Sequence, residues 1–319
     1  MTAAVALFRR HGTLVGAALV LVYFSFRLPT TFLTARNLLN VSQQMSMLVV
    51  VASTMTIVMA MGDFDLSVGS MASLGGVVVA LTFIAGASTP LAISLAVLVG
   101  LIGGLLNGFL VAYVGILPFI ATLGAATIMS GLAFWLSGGK TLFGGAIPHG
   151  FSDFARGGLP LGADLVLPNL TLVALVIAIL VWIFLEQTIA GRRLYAIGDN
   201  AEAARLAGVS VRALRLGAFA LSGLGAAVGG LMYASRVASA NPTQGAGLML
   251  DSIAAVFLGQ TMTEEGEPRV AATLGGVFIL GLVGNGLTQM NVDSYVRDML
   301  TGAIVIAAVA ASALGKRRD

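Results

Sequence analysis

The 319-residue sequence has no cysteine and few charged side chains. The lack of cysteine excludes disulfides and thiol chemistry. Lys, Arg, Asp and Glu make up 10% of the chain, whereas a soluble domain has about 25%. The mean hydropathy is +0.98, so the chain lacks the polar residues that would cover a soluble surface. We therefore expect an integral membrane protein.

Patterns of catalytic residues are missing as well. The sequence has no H-E-x-x-H, no G-x-S-x-G and no Cys/His cluster, and His11 and His149 are isolated. The stretch SGGKT (137–141) resembles the end of a phosphate-binding loop, but Phe134 stands where that motif requires a glycine. We predict no catalytic residue, no metal, no cofactor and no enzymatic activity.

Long apolar segments dominate what is present. They lie near 12–28, 44–62, 67–86, 90–113, 117–137, 168–187, 215–236, 248–261, 270–290 and 295–314. Segments of about 20 residues favour helices over the shorter strands of a membrane barrel. The first lacks an A-x-A cleavage pattern and is interpreted as an uncleaved span. The sequence predicts an all-α bundle of about ten transmembrane helices in a single domain, residues 1–319, whose eighth span is short enough to be broken or re-entrant.

The distribution of basic residues predicts the orientation. An even number of spans puts both termini on one side, and eleven of the seventeen basic residues then fall on that side. Cytoplasmic loops carry the excess of Lys and Arg. We expect both termini and the segment 188–214 in the cytoplasm, and the segment 138–167 outside it.

Two carboxylates interrupt the apolar sequence between Arg36 and Lys140. Asp63 and Asp65 are the only charged residues in that interval. Asp65 precedes the third span, where its carboxylate would cap free N–H groups, and Asp63 would cap the turn or face water. A role in a gate or in packing against a cytoplasmic partner is the alternative. An ion-coupled secondary transporter would instead use both as its coupling site, with Asp251 as the next candidate.

The segment 188–214 contains a short predicted helix. Asn200 suits its N-cap, Glu202 its first turn, Arg205 its end and Gly208 its C′ position. About seven residues are too few for a stable helix in water. Either this helix lies on the protein's own membrane face, or it docks into a second protein.

Some polar residues inside the spans are candidates for a solute path. Asn107, Thr122, Ser222 and Asn285 would line a path for a solute or bond to neighbouring helices. A chain so poor in intramembrane charge suits a neutral solute better than an amino acid or a metal ion.

Four segments, in order, resemble the permease subunits of ribose-, galactose- and autoinducer-2-type ABC importers, which belong to the binding-protein-dependent transport permeases. They are GDFDLSVGSMASLGGVVVA (62–80), GLLNGFLVAYVGILPFIATLGAATIMSGLA (104–133), AGRRLYAIGDNAEAARLAGVSV (190–211) and LDSIAAVFLG (250–259). The resemblance runs from about residue 40 to 312. It implies a type II importer-like permease that carries a sugar through the bacterial inner membrane.

The resemblance also implies partners and site residues. The partners are a second permease copy or a paralogue, a cytoplasmic ABC ATPase dimer, a periplasmic or lipid-anchored sugar-binding protein and membrane lipids, but no nucleic acid. The ATPase-docking residues would be Gly191, Arg192, Tyr195, Gly198, Asn200, Glu202, Arg205, Leu206 and Gly208. The residues of the path or gate would be Asp63, Asp65, Ser67, Asn107, Pro118, Phe119, Thr122 and Asp251.

One segment departs from the family pattern. Residues 259–270 read GQTMTEEGEPRV where a glycine-rich turn is common. This acidic turn is either a solvated cytoplasmic loop or a second contact with the ATPase.

Overall fold

The computed structural model describes residues 3–316 except 144–146, 163 and 264–265. Its helices are α1 (Ala3–Arg27), α2 (Ala35–Ala60), α3 (Val68–Ile84), α4 (Thr89–Phe109), α5 (Pro118–Ser137), α6 (His149–Arg156), α7 (Asn169–Trp182), α8 (Ile189–Leu206), α9 (Val211–Val237), α10 (Ala246–Gln260), α11 (Val270–Gln289) and α12 (Ser294–Lys316). Single π-helical turns, Leu110–Val114 and Ile183–Gln187, extend α4 and α7. The strands are β1 (Leu142–Phe143), β2 (Gly158–Gly162), β3 (Leu165–Pro168) and β4 (Ser239–Ala240).

Each of the ten apolar segments overlaps a helix of the structure. Six helices of the described residues, π turns included, are long and apolar enough to cross a membrane: α2, α4, α5, α7, α9 and α11. The apolar parts of α1, α3 and α10 are shorter. The chain is therefore a multi-pass helical membrane protein. The total of ten crossings, and whether the 15-residue α10 is re-entrant, remain predictions.

The starts of two helices differ from the sequence prediction. Helix α2 begins at Ala35, nine residues before the predicted start, because the polar side chains of its first turns find partners. Thr34 Oγ1 accepts from Asn37 N at 3.2 Å, and the amides of Asn37 and Asn285 exchange two hydrogen bonds at 2.9 and 3.1 Å. Helix α9 begins at Val211 rather than 215, directly after the short helix of segment 188–214.

Helix α9 lies at the centre of the bundle, against α2, α3 and α4. Its contact with α4 is close, and small residues face each other there. A Cβ on Gly104 would overlap Phe219 O, and one on Gly223 would overlap Gly100 O. Small residues allow such backbone contact in lipid, where apolar burial gives helices no preference for each other. Helices α4 and α9 therefore pack backbone to backbone.

The described part of the segment between α5 and α7 contains one short helix and three short strands. Strands β2 and β3 make an antiparallel hairpin, and α6 precedes them. Strand β1 pairs with the distant β4, Leu142 opposite Ala240 and Phe143 opposite Ser239. The side chain of Asn241 adds a bond to Thr141 Oγ1 at 2.8 Å. The end of α5 is thereby joined to the chain that leads into α10.

Candidate transport site

The turn between α2 and α3, residues 61–67, buries its polar side chains, those of Asp63, Asp65 and Ser67. Asp65 is fully buried, and its Oδ1 accepts from Ser67 N at 3.0 Å and from Ser67 Oγ at 2.6 Å. Its Oδ2 accepts from Ser222 Oγ of α9 at 2.8 Å. Asp65 therefore accepts a backbone N–H as predicted, but it is that of Ser67, the residue before α3, and no side chain caps the first turn of α3 itself. Asp65 fixes the shape of the turn and attaches it to α9.

Asp63 has a different partner from the one expected. Its side chain is 8% exposed, and Oδ2 lies 2.6 Å from Nε of Arg215 in the first turns of α9. The prediction that Asp63 caps the turn or faces water was wrong, because an ion pair replaces the water. The turn is therefore attached to α9 at two positions: Asp63 pairs with Arg215, and Asp65 bonds to Ser222.

The same network extends to α4. Asn107 Nδ2 donates to Ser67 Oγ at 2.7 Å, and Asn107 is 1% exposed. Four predicted path or gate residues, Asp63, Asp65, Ser67 and Asn107, therefore lie together with Ser222 and connect α3, α4 and α9. This network holds helices in place by side-chain bonds, as polar groups inside membrane bundles commonly do.

The remaining predicted path residues lie elsewhere. Thr122 is fully buried and donates to Pro118 O in its own helix at 2.8 Å. Phe119, at the start of α5, is 58% exposed. Asp251 lies on α10, where it interacts electrostatically with Arg297 of α12.

The short helix within segment 188–214 has the predicted ends. The backbone of α8 breaks at Asn200 (φ −157°, ψ 97°), whose Oδ1 accepts from Ala203 N at 2.9 Å. Gly208 has φ +82°, a conformation that favours glycine. Gly208 N bonds to Arg205 O and Val209 N to Ala204 O, both at 3.0 Å, which is the Schellman pattern. The N-cap and the C′ glycine are confirmed.

The outer surface of this helix is exposed. Leu206 is 77% exposed, although burying a leucine side chain away from water is energetically favourable. Arg205 and Glu202 form an exposed ion pair at 2.6 Å, and the hydrogen bond from Arg205 lowers the pKa of the Glu202 carboxyl. The opposite side carries the buried Ala204, which belongs to the apolar core. The helix thus presents an apolar side chain beside two charges.

The first half of α8 is fastened to the bundle. A Cβ on Gly198 would overlap Ala60 O at the end of α2, and one on Gly191 would overlap Leu185 O. Tyr195 donates its hydroxyl to Pro268 O at 2.9 Å, and burial raises the pKa of its phenol. Segment 188–214 therefore contacts both the turn that carries Asp63 and the acidic turn. In the acidic turn Glu267 pairs with Arg269 at 3.2 Å, whereas Glu264 and Glu265 lie outside the described residues.

Two cavities flank α5, and they differ in the polarity of the residues that line them. A cleft of about 380 Å³ lies between α3, α5 and α10, and its lining includes the hydroxyls of Ser70, Thr127 and Ser130. A groove of about 450 Å³ lies between α3, α4 and α5, where Asn107 is the one polar residue among sixteen lining residues. The sequence interpretation missed the three hydroxyl residues. The three-residue spacing of Thr127 and Ser130, which places both on one face of α5, was the available signal.

Known proteins resemble this chain over nearly its full length. A family model described as branched-chain amino acid transport system / permease component matches residues 37–309. A ribose import permease of Bacillus subtilis is 35% identical over 304 residues, 94% of this chain and 92% of the relative. The ribose import permease of Escherichia coli K12 is 34% identical over 92% of this chain and 90% of its own length. The galactose/methyl galactoside import permease of Escherichia coli K12 is 33% identical over 96% of this chain and 94% of its own length. No solved structure gives a significant match.

Proposed function

Because this chain belongs to the family of branched-chain amino acid transport system permease components, we propose that it is the membrane-spanning subunit of an ABC importer for a sugar. The observation that carries the proposal is the short helix 201–206. It is capped at both ends, exposes Leu206, and continues within five residues into the central helix α9. A helix so short gains its stability from contacts outside itself, and an ATPase groove would cover Leu206.

The orientation follows from the same assignment. Ten helices cross the inner membrane with both termini in the cytoplasm, segment 188–214 faces the ATPase, and segment 138–167 faces a binding protein that delivers the solute. A second permease copy or a paralogue completes the membrane part. Support comes from the excess of basic residues on the assigned cytoplasmic side and from helix α5, of whose most apolar stretch only 22% is buried within the single chain.

A neutral sugar fits the cavities better than an amino acid does. The relatives described above are named for ribose and galactose. The residues that line the cleft carry no charge, whereas a zwitterionic amino acid inside a membrane needs charged or strongly polar partners. The family description alone mentions branched-chain amino acids, so the substrate class rests on the sugar-permease relatives and on the cleft.

The alternative of an ion-coupled secondary transporter is less well supported. Asp63 is paired with Arg215, and both oxygens of Asp65 accept hydrogen bonds from serines. A coupling ion would have to displace these partners. The carboxylates are therefore better explained as connections between helices.

Co-purification tests the proposal. The tagged chain is extracted from its native host in mild detergent, and the accompanying proteins are identified by mass spectrometry. We expect an ABC-type ATPase, and reconstitution with it should give sugar uptake that requires ATP. Recovery of the chain alone, with solute uptake in liposomes driven by an ion gradient, would refute the proposal and favour the secondary transporter.

A further inference from the structure

The two cavities beside α5 provide the starting observation. They are separated by one helix and have similar volumes, yet three of the nine residues that line the first carry hydroxyls, whereas the second is almost wholly apolar. Thr127 and Ile128 are sequence neighbours, and each belongs to a different cavity. In a membrane protein, a surface in contact with lipid gains nothing from hydroxyl groups, whereas a surface in contact with a polar solute does.

We infer that the cleft between α3, α5 and α10 is a segment of the solute path, and that Ser70, Thr127 and Ser130 form a hydrogen-bonding site for the hydroxyls of a neutral sugar. This inference rests on the proposed function, since it names the place where the proposed substrate passes. The apolar groove on the other side of α5 takes no part in the path.

The hydroxyls of the cleft suit a transient contact. Ser70 and Ser130 are partly exposed and Thr127 is exposed, so all three are accessible from the cleft. Thr127 Oγ1 donates to Leu123 O at 3.1 Å and keeps its acceptor sites. A hydroxyl both donates and accepts, and its proton turns toward either kind of partner. Uncharged groups bind a polyol without the long residence that charge-assisted bonds would bring.

The position of the cleft connects it to the ATPase-facing part of the chain. Leu66 of the buried turn and Gly69 of the first turn of α3 form one wall. The same turn is attached to α9 through Asp63 and Asp65. Ala246 and Met249 of the short α10 form the adjoining wall, and a Cβ on Gly69 would lie 2.7 Å from Gly245 O. A displacement of α9 therefore moves the wall that contains Ser70.

Single cysteines test whether water fills the cleft, and the natural chain already lacks cysteine. Ser70→Cys, Thr127→Cys and Ser130→Cys are compared with the matched control Ile128→Cys, which lies on the same helix and faces the apolar groove. A positively charged, water-soluble methanethiosulfonate reacts with thiolates, and apolar surroundings raise the thiol pKa. We expect the cleft cysteines to react at least about tenfold faster than the control, as a pKa difference of one unit would give. Equal rates at all four positions, or no reaction within the cleft, would overturn the inference.

A transport measurement tests the ligand class. Ser130→Leu narrows the cleft and removes a hydroxyl, whereas Ile128→Leu keeps both the volume and the apolar character of the groove. In the reconstituted complex we expect Ser130→Leu to abolish uptake of radiolabelled ribose and galactose while the ATPase still co-purifies, and Ile128→Leu to retain it. Normal uptake by Ser130→Leu would refute the assignment of the site.

The two proposals fail in distinguishable ways. If the unmodified complex carries no neutral sugar, or if no ATPase accompanies the chain, the proposed function fails, and with it the ligand named here. The labelling pattern is independent of both results. If the ATPase is recovered and sugar is carried but the cleft cysteines do not react, the cleft assignment alone fails.

Discussion

Arg215 of the central helix α9 holds Asp63 of the α2–α3 turn by an ion pair of 2.6 Å between Nε and Oδ2. Asp63 is nearly buried, and the Arg215 side chain is 24% exposed. A second bond joins the same turn to α9: Asp65 accepts from Ser222, which lies two helical turns beyond Arg215. The start of α3 is therefore positioned by the same helix that follows the short helix 201–206.

Breaking the ion pair from one side leaves a charge without its partner. We expect Asp63→Asn to lower the free energy of unfolding by about 3 kcal/mol, at the lower end of the cost of breaking a buried pair, because Arg215 retains contact with water. The double variant Asp63→Asn/Arg215→Gln should recover part of the loss, since neither side then buries a charge. Thermal unfolding in detergent measures both. A double variant less stable than the sum of the two single changes would contradict the pairing.

Asp65 gives a test of charge against hydrogen bonding. Asn at this position keeps one oxygen for Ser67 N, and its NH₂ group donates to Ser222, so we expect Asp65→Asn to be mild. Leu leaves the N–H of Ser67 and the hydroxyl protons of Ser67 and Ser222 without their acceptor, at about 1–3 kcal/mol for each buried group. Uptake and thermal stability of both variants, with Ser222→Ala as the control for the α9 bond, provide the measurement. Equal and complete loss of uptake with Asn and Leu would show that the negative charge itself is required.

The C-terminal cap of the short helix 201–206 depends on Gly208. Gly208→Val places a β-branched residue at φ +82° and breaks the C-terminal pattern. We expect ATP hydrolysis to become uncoupled from uptake while the protein still inserts into the membrane. Gly217→Ala, in α9 with open space around its Cα, is the matched control and should transport normally. Arg205→Glu, which puts a second carboxylate three residues after Glu202, should also uncouple ATP hydrolysis from uptake. Normal transport by both variants would refute the proposal that this helix docks into the ATPase.

Tyr195 connects segment 188–214 to the acidic turn. Tyr195→Phe removes the bond to Pro268 O, which is worth about 1 kcal/mol, and keeps the ring. We expect lower transport per ATP hydrolysed with unchanged amounts of protein in the membrane. Tyr113→Phe is the control, since the Tyr113 ring stacks on Phe109 at the end of α4. An identical effect of the two changes would mean that the bond to Pro268 is irrelevant to coupling.

What the sequence predicted well is local in the chain. The apolar segments overlap the observed helices because hydropathy over about 20 residues determines which stretches leave water. Asn200 and Gly208 were assigned correctly because a cap depends on backbone groups only a few residues away. The start of α2 was missed because Asn37 in its first turn bonds to Asn285, which is 248 positions away.

What the sequence left open depends on contacts between distant residues. The partner of Asp63 lies 152 residues away, so a turn cap and a water contact were the reasonable expectations from neighbours alone. The cleft requires three helices to meet, and Ser70 and Thr127 have no relationship in the sequence. Intramembrane Asn and Thr were the more conspicuous polar residues, yet Asn107, Thr122 and Asn285 bond to their own chain.

The pairing of β1 with β4 limits how the cleft can change shape. It fastens the end of α5 to the segment that leads into α10, so the two helices that flank the cleft share a fixed point at this end. If α5 rotates relative to α10, the strand pair acts as the hinge. The displacement of α5 is then small beside the strands and largest at its other end, near Pro118. Opening at the far end leaves the strand bonds intact, whereas opening beside the strands requires these bonds to break. The two ways of opening the cleft therefore differ in their mechanical cost.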